Sequence, residues 1–149
     1  MNIPNTYTEW INCFEYIKNH PRNDMYIDTL NQGTLDYDEG LINKLSNELL
    51  GVILNRLTEA LNNFSNSLKE AVEYNAFSLE IIGLRKEFNY AYRLGNIKIF
   101  PEDVKRNIIS FVINKANSVQ KSLEEKTRLV DRSGMVNSMI KNNPINVFK

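Results

Sequence analysis

The chain contains one histidine, His20, and one cysteine, Cys13. A thiol–imidazole pair is the combination here with the most intrinsic reactivity, because a histidine base activates a thiol within hydrogen-bond reach. Two turns of helix between them place the pair ~10 Å apart on one side. That separation is too long for proton transfer. Cys13 therefore reads as a small core residue and His20 as a helix-end residue near the negative pole of the dipole. A structural zinc site takes about four ligands from Cys, His and carboxylates, and this chain has too few of the first two. Asp36-x-Asp38-Glu39 is the densest acidic group. It lacks the glycine and distal glutamate offsets of a calcium loop and reads as the acidic start of a helix. No Glu-x-x-His pair of a di-iron bundle is present. Arg22 follows His20 in the wrong order and spacing for the Arg–His pair of a helical ribonuclease. The six glycines are isolated, so no loop cradles phosphate. The expectation is a chain with no catalytic, cofactor or metal site. A buried Arg–carboxylate cluster lining a deep pocket is the one feature that would reverse it.

Two clusters carry more promise for binding. Phe88, Tyr90 and Tyr92 are interleaved with Arg85, Lys86 and Arg93, a composition that can stack and hold nucleic-acid bases. On a helix, however, Phe88 falls on the apolar stripe and the cations fall at its edge, so core packing with amphipathic edges is the stronger reading. The C-terminal segment is basic through Lys126, Arg128, Arg132, Lys141 and Lys149. It is also apolar through Met135, Val136, Met139, Ile140, Ile145, Val147 and Phe148. Such an arm either packs on its own bundle or docks into a partner by helix-in-groove or strand addition. The expected partner-binding set is Arg128, Arg132, Met135, Met139, Ile140, Lys141, Ile145 and Phe148.

The elements that position these residues are helical. Ile42, Leu45, Leu49, Ile53, Leu57, Leu61, Phe64, Leu68 and Val72 recur every three or four residues, which is one face of a single helix. From Asp38 to Glu73 such a helix would be ~54 Å long. The mean spacing exceeds the 3.5 of a left-handed coiled coil, and Leu50 and Leu54 broaden the stripe, so it belongs inside a bundle. Gly51 within that stretch suggests close approach of another helix. Thr6-x-x-Glu9 has capping-box spacing and opens a first helix over Tyr7–Asn19. A short second helix over Asn23–Gln32 ends at Gly33, placed where a left-handed terminus wants glycine. Asn75 is expected to break or cap the chain before a fourth helix over Phe77–Leu94. Pro101-Glu102-Asp103 starts a fifth, running to Leu129. Asp131-Arg132-Ser133-Gly134 stops it, and one or two helical turns follow in the tail.

At 149 residues the chain has the length of one domain. We assign 1–134 to a helical bundle and 135–149 to an arm. The single cysteine suits a reducing compartment. No basic-then-apolar leader opens the sequence, and the longest apolar run, Leu49–Leu54, is far short of a bilayer span. These features predict a cytoplasmic protein without membrane contact. The use of 22 Asn and 15 Ile suggests an AT-rich bacterial or phage genome. Zero net charge hides an asymmetry: residues 1–75 carry 5 cations and 11 carboxylates, residues 76–149 carry 13 and 7. Antiparallel helices from the two halves would neutralise each other. Failing that, a basic surface would face an acidic partner or nucleic acid.

The sequence thus predicts an all-α, elongated bundle of four to five helices with one long central helix and a C-terminal arm. The expected function is a non-enzymatic protein-interaction module of adaptor, chaperone or immunity type. Homo-oligomerisation is a sub-case, because the long helix needs cover. Nucleic-acid binding through the basic half is the alternative.

Overall fold

The computed structural model describes residues 1–70, 74–130 and 134–148, with side chains described outside 67–76, 127–133 and 135. Six helices follow in chain order: α1 (Tyr7–Asn19), α2 (Asp24–Asn31), α3 (Glu39–Glu70), α4 (Tyr74–Leu94), α5 (Glu102–Val130) and α6 (Met135–Asn142). The chain is an all-α bundle around the long central helix. At 32 residues, α3 is ~48 Å long.

The first three helices start where a side chain satisfies free backbone donors. Thr6 accepts from the Glu9 amide at 3.2 Å, while the Glu9 carboxylate reaches back to the Asn5 amide at 3.2 Å. Asn23 caps α2 through the Met25 amide at 2.9 Å. Asp38 caps α3 through the Leu41 amide at 3.1 Å. Helix α4 begins at Tyr74, slightly earlier than the composition suggests, so Asn75 stands in its first turn. Packing of the Phe77 stripe outweighs the modest helix propensity of one asparagine.

Ile42, Leu45, Leu49, Ile53, Leu57 and Phe64 of the α3 stripe are buried and Leu61 is half-buried. Leu68 and Val72 lie outside the described side chains. Helix α1 packs on α3 with Trp10, Cys13, Phe14 and Ile17. Helix α4 lies antiparallel to α3, since Phe64 meets Phe77 (ring centroids 6.2 Å apart) and Arg56 meets Glu87. Its stripe of Phe77, Ile81, Leu84, Phe88 and Ala91 is buried. The seam with α5 is close at Gly95, where a Cβ would approach Ile108 Cγ2 to 2.9 Å.

Two glycines serve ends other than those expected. Gly33 does not adopt a positive φ. It lies under the indole of Trp10, where a Cβ would sit 2.6 Å from Cζ2 and 2.9 Å from the Pro4 oxygen. The N-terminal segment needs this contact: the Thr34 amide donates to Pro4 O at 3.0 Å and Trp10 Nε1 donates to Thr34 O at 2.9 Å. Gly51 is exposed, and a Cβ there would meet nothing within 4 Å. Among the described residues, no helix approaches it closely. Gly134, at φ 73°, does occupy the left-handed region that favours glycine.

Candidate functional site

Three regions gather the residues with binding or chemical potential. The first is the junction of α1, α3 and α4. Arg56, on α3, has a side chain only 10% exposed. One terminal nitrogen donates to Ile17 O at 2.6 Å and to His20 O at 2.7 Å, carbonyls at the C-terminal end of α1. The other donates to Glu87 Oε1 at 2.7 Å. The second Glu87 oxygen accepts from Arg22 at 3.0 Å. Arg56 also lies over the Tyr90 ring, 5.1 Å from its centroid. The guanidinium therefore caps α1 where the dipole is negative, and Glu87 holds that cap onto α4. Its Nε is buried without a partner.

A cleft of about 500 Å³ opens beside this cluster, lined by Lys18, His20, Arg22, Arg56, Glu59 and Glu80 among others. His20 Nδ1 donates to Tyr16 O at 2.7 Å, and its ring stacks on Tyr16 at 3.7 Å. Cys13 is turned away: its thiol donates to Asn2 O at 3.5 Å, and burial pushes its pKa up. The chain's one thiol and one imidazole are thus separately occupied. This buried Arg–carboxylate cluster beside a cleft is the arrangement that sequence reasoning named as a sign of catalysis. Its geometry shows both carboxylate oxygens and both terminal guanidinium nitrogens tied to protein groups.

The second region is the arm. Met139, Ile140 and Ile145 are buried in the chain's own core. Gln120 of α5 clips the arm's backbone, donating to Ile140 O at 3.3 Å and accepting from the Ile145 amide at 3.1 Å. Asn146 Nδ2 donates to Asn117 Oδ1 at 3.1 Å, so the arm runs antiparallel to α5. Phe148 stacks on Tyr92 of α4, centroids 4.6 Å apart. Lys141 is exposed, as is Val147 at 47%. Of the expected partner-binding set, the structure brings Met139, Ile140, Ile145 and Phe148 together on the α4–α5 seam and leaves Lys141 at its rim. Arg132 lies outside the described residues, as do the side chains of Arg128 and Met135.

The third region, missed from sequence, is a cavity of about 540 Å³ between the start of α2 and α4. Arg22, Asn23, Asp24, Lys86, Asn89, Tyr90 and Arg93 line it. Arg93 donates to Asp24 Oδ1 at 2.6 Å. The spacing of Lys86, Asn89, Tyr90 and Arg93 was legible as one helical face. Its juxtaposition with Arg22 was not, because that depends on how α2 folds back. The aromatic members of this stretch are committed internally: Phe88 and Tyr90 are buried, and Tyr92 is covered by Phe148. Burial is also what raises the Tyr90 pKa, against a lowering contribution from the nearby Arg56 guanidinium.

Charge neutralisation between the halves is only partly met by ion pairs. Among the described residues, Arg93–Asp24 joins a cation of the second half to a carboxylate of the first. Arg22–Glu87 and Arg56–Glu87 run in the opposite sense. Also among the described residues, no group of three potential metal ligands occurs, and no helix is long and apolar enough to cross a membrane.

An all-α bundle with a docked C-terminal helix is the class that these features define. No protein-family description, curated protein or solved structure matches the chain.

Proposed function

We propose that this chain is a non-catalytic protein-interaction module whose C-terminal arm and the α4–α5 seam beneath it form the contact surface. One observation carries the reading: the arm is an amphipathic helix followed by a short segment that turns at Ile145–Asn146, seated apolar side down in a seam of two helices. That is helix-in-groove recognition enacted within one chain. The same seam suits a partner segment of like pattern, and the same arm suits a partner's groove. Commitment of the Arg22–Glu87–Arg56 charges to capping α1 supports a structural use for the cluster that would otherwise point to catalysis. The internal use of the Tyr90 and Tyr92 rings favours a protein partner over a nucleic acid, which would want free stacking faces. Adaptor, chaperone and immunity-type roles all use such a surface, in the cytoplasm of a bacterial or phage-infected cell.

The test is recovery from native lysate with the full chain tagged at its N-terminus, with and without nuclease. Wild type is compared with Lys141→Glu and Phe148→Ala, whose folding is checked by circular dichroism. A protein partner that survives nuclease and is lost from both variants supports the reading. Retention of that partner by both variants removes the arm from the site. Recovery that collapses with nuclease refutes a protein partner.

A further inference from the structure

The cavity between the start of α2 and α4 is lined by more cations than carboxylates. Three cations, Arg22, Lys86 and Arg93, line it against one carboxylate, Asp24. Behind the wall, Glu87 is shared by Arg22 and Arg56. Four cations therefore stand against two carboxylates, leaving two positive charges in excess around one concavity. We propose that this cavity binds a small anion of the phosphate-monoester class.

The cations differ in their state, and the difference suits a ligand. Arg22 and Arg93 are each held by one carboxylate through one terminal nitrogen, at 3.0 and 2.6 Å. A guanidinium carries five N–H donors, so orientation is fixed while most donors stay available for a doubly charged oxyanion. Lys86 is exposed and makes no ion pair among the described residues. Its ammonium is the group that a ligand can recruit without breaking an existing bond. The backbone adds a favourable field, because Asn23 begins α2 with its amide end at the cavity. Asn89 is a lining residue, and its Oδ1 is buried with no hydrogen-bond partner among the described residues. An amide oxygen in that position can accept from a ligand hydroxyl, which inorganic phosphate keeps at neutral pH and a monoester supplies from its organic group. At about 540 Å³, the volume falls in the range of small-molecule sites, roughly 300–1,000 Å³. It exceeds what a bare phosphate fills, which favours a phosphate carrying an organic group. Asp24 sits at the rim with its side chain 74% exposed. Its carboxylate can turn to water when an anion takes its place on Arg93.

The test uses the intact chain at pH 7.5 and fixed ionic strength. Backbone and side-chain NMR shifts are followed while inorganic phosphate, then adenosine monophosphate, replaces chloride. The expected result is saturable shifts confined to residues 22–24, 86, 89, 90 and 93, with tighter binding of the nucleotide. Lys86→Glu should weaken binding about tenfold or more, the loss expected for one charge-assisted contact replaced by repulsion. Lys121→Glu, on α5, should leave it unchanged. Lys86 has no ion pair to lose among the described residues, so its variant keeps the wild-type melting curve. Non-saturating shifts spread over many lysines would overturn the proposal, as would a Lys86→Glu variant that binds like wild type. Preferential binding of a ten-nucleotide RNA, with a salt slope of several phosphates, would overturn the monoester assignment.

Discussion

Removing the Glu87 carboxylate should cost this protein much of its stability. Glu87 has 8% of its side chain exposed and serves two guanidinium groups of unequal burial, Arg56 at 10% and Arg22 at 37%. Deleting one partner of a buried ion pair typically costs about 3–5 kcal/mol, because the surviving charge stays desolvated. Two features reduce that here. Arg22 is more than a third exposed, so water replaces its lost partner and its share is close to that of a surface pair, about 0–1 kcal/mol. Arg56 keeps Ile17 O and His20 O as acceptors. For Glu87→Ala we therefore expect a loss of about 2–4 kcal/mol, a large part of the ~5–15 kcal/mol that holds a domain folded.

The assay is urea denaturation followed by circular dichroism, read as a shift in midpoint at unchanged slope. Arg56→Ala, Glu87→Ala and the double variant form a cycle. Residues sharing one network couple by about 0.5–3 kcal/mol, and the short 2.7 Å contact places this pair in the upper half. Arg56→Ala should be the more damaging single change, because two C-terminal carbonyls of α1 also lose their donor. A Glu87→Ala loss below about 0.5 kcal/mol, the size of an ordinary exposed pair, would refute the reasoning. It would mean that water reaches the cluster.

Gln120→Ala strands Ile140 O and the Ile145 amide. At about 1–3 kcal/mol per buried unsatisfied group, amide exchange in α6 should accelerate well before the bundle melts. Gly33→Ala drives a methyl into Trp10. It should destabilise by about 1–3 kcal/mol as overpacking does, and the chain's one tryptophan reports the shift by fluorescence. The Tyr90 phenol is raised from its ordinary value by burial, so the fold binds that proton more tightly than the unfolded chain. The resulting stabilisation is present below the unfolded value of about 10 and lost as pH rises through the folded value. Tyr90→Phe should flatten the alkaline fall in melting temperature, and an unchanged fall would remove Tyr90 as its cause. Burial also raises the Cys13 thiol, so labelling by a soluble disulfide reagent at pH 8 should be slow and should accelerate in urea. Fast labelling of folded protein would contradict its placement.

Periodicity made the helices readable, and capping residues set several of their ends. Helix α1 begins and ends where Thr6 and Pro21 dictate. The stripe from Ile42 to Phe64 turned inward as one face. What failed was local inference about single small or polar residues. Gly33 looked like a helix terminus because glycine often is one, yet its constraint is a tryptophan from another element. Asn75 looked like the residue just before α4, yet the helix starts at Tyr74, since its neighbours could not show how far the Phe77 and Ile81 stripe would extend it. The Arg22–Glu87–Arg56 cluster joins residues 31 to 65 positions apart. No spacing rule reaches that far, so the most charged interior point of the molecule left no sequence signal beyond its residue types.

That cluster also explains why the loop between α1 and α2 can serve a binding role without a rigid scaffold of its own. Arg56 holds His20 O at one end of the loop, Arg22 is held by Glu87 in its middle, and Asn23 caps α2 at the other end. Consecutive residues are therefore fixed by α3 and α4. The first half of this strap, through Arg22, lines the 500 Å³ cleft, and Arg22 to Asp24 line the 540 Å³ cavity, so Arg22 borders both. An anion drawing Arg22 toward the cavity would weaken its hold on Glu87 and load more of that carboxylate onto Arg56. Ligand binding and the attachment of α1 are then linked through one carboxylate, and linkage is reciprocal. If phosphate binds where proposed, Glu87→Ala should free Arg22 and tighten phosphate binding even as it loosens the bundle. A variant that lowers stability and affinity together would show that Glu87 only positions Arg22 for the anion.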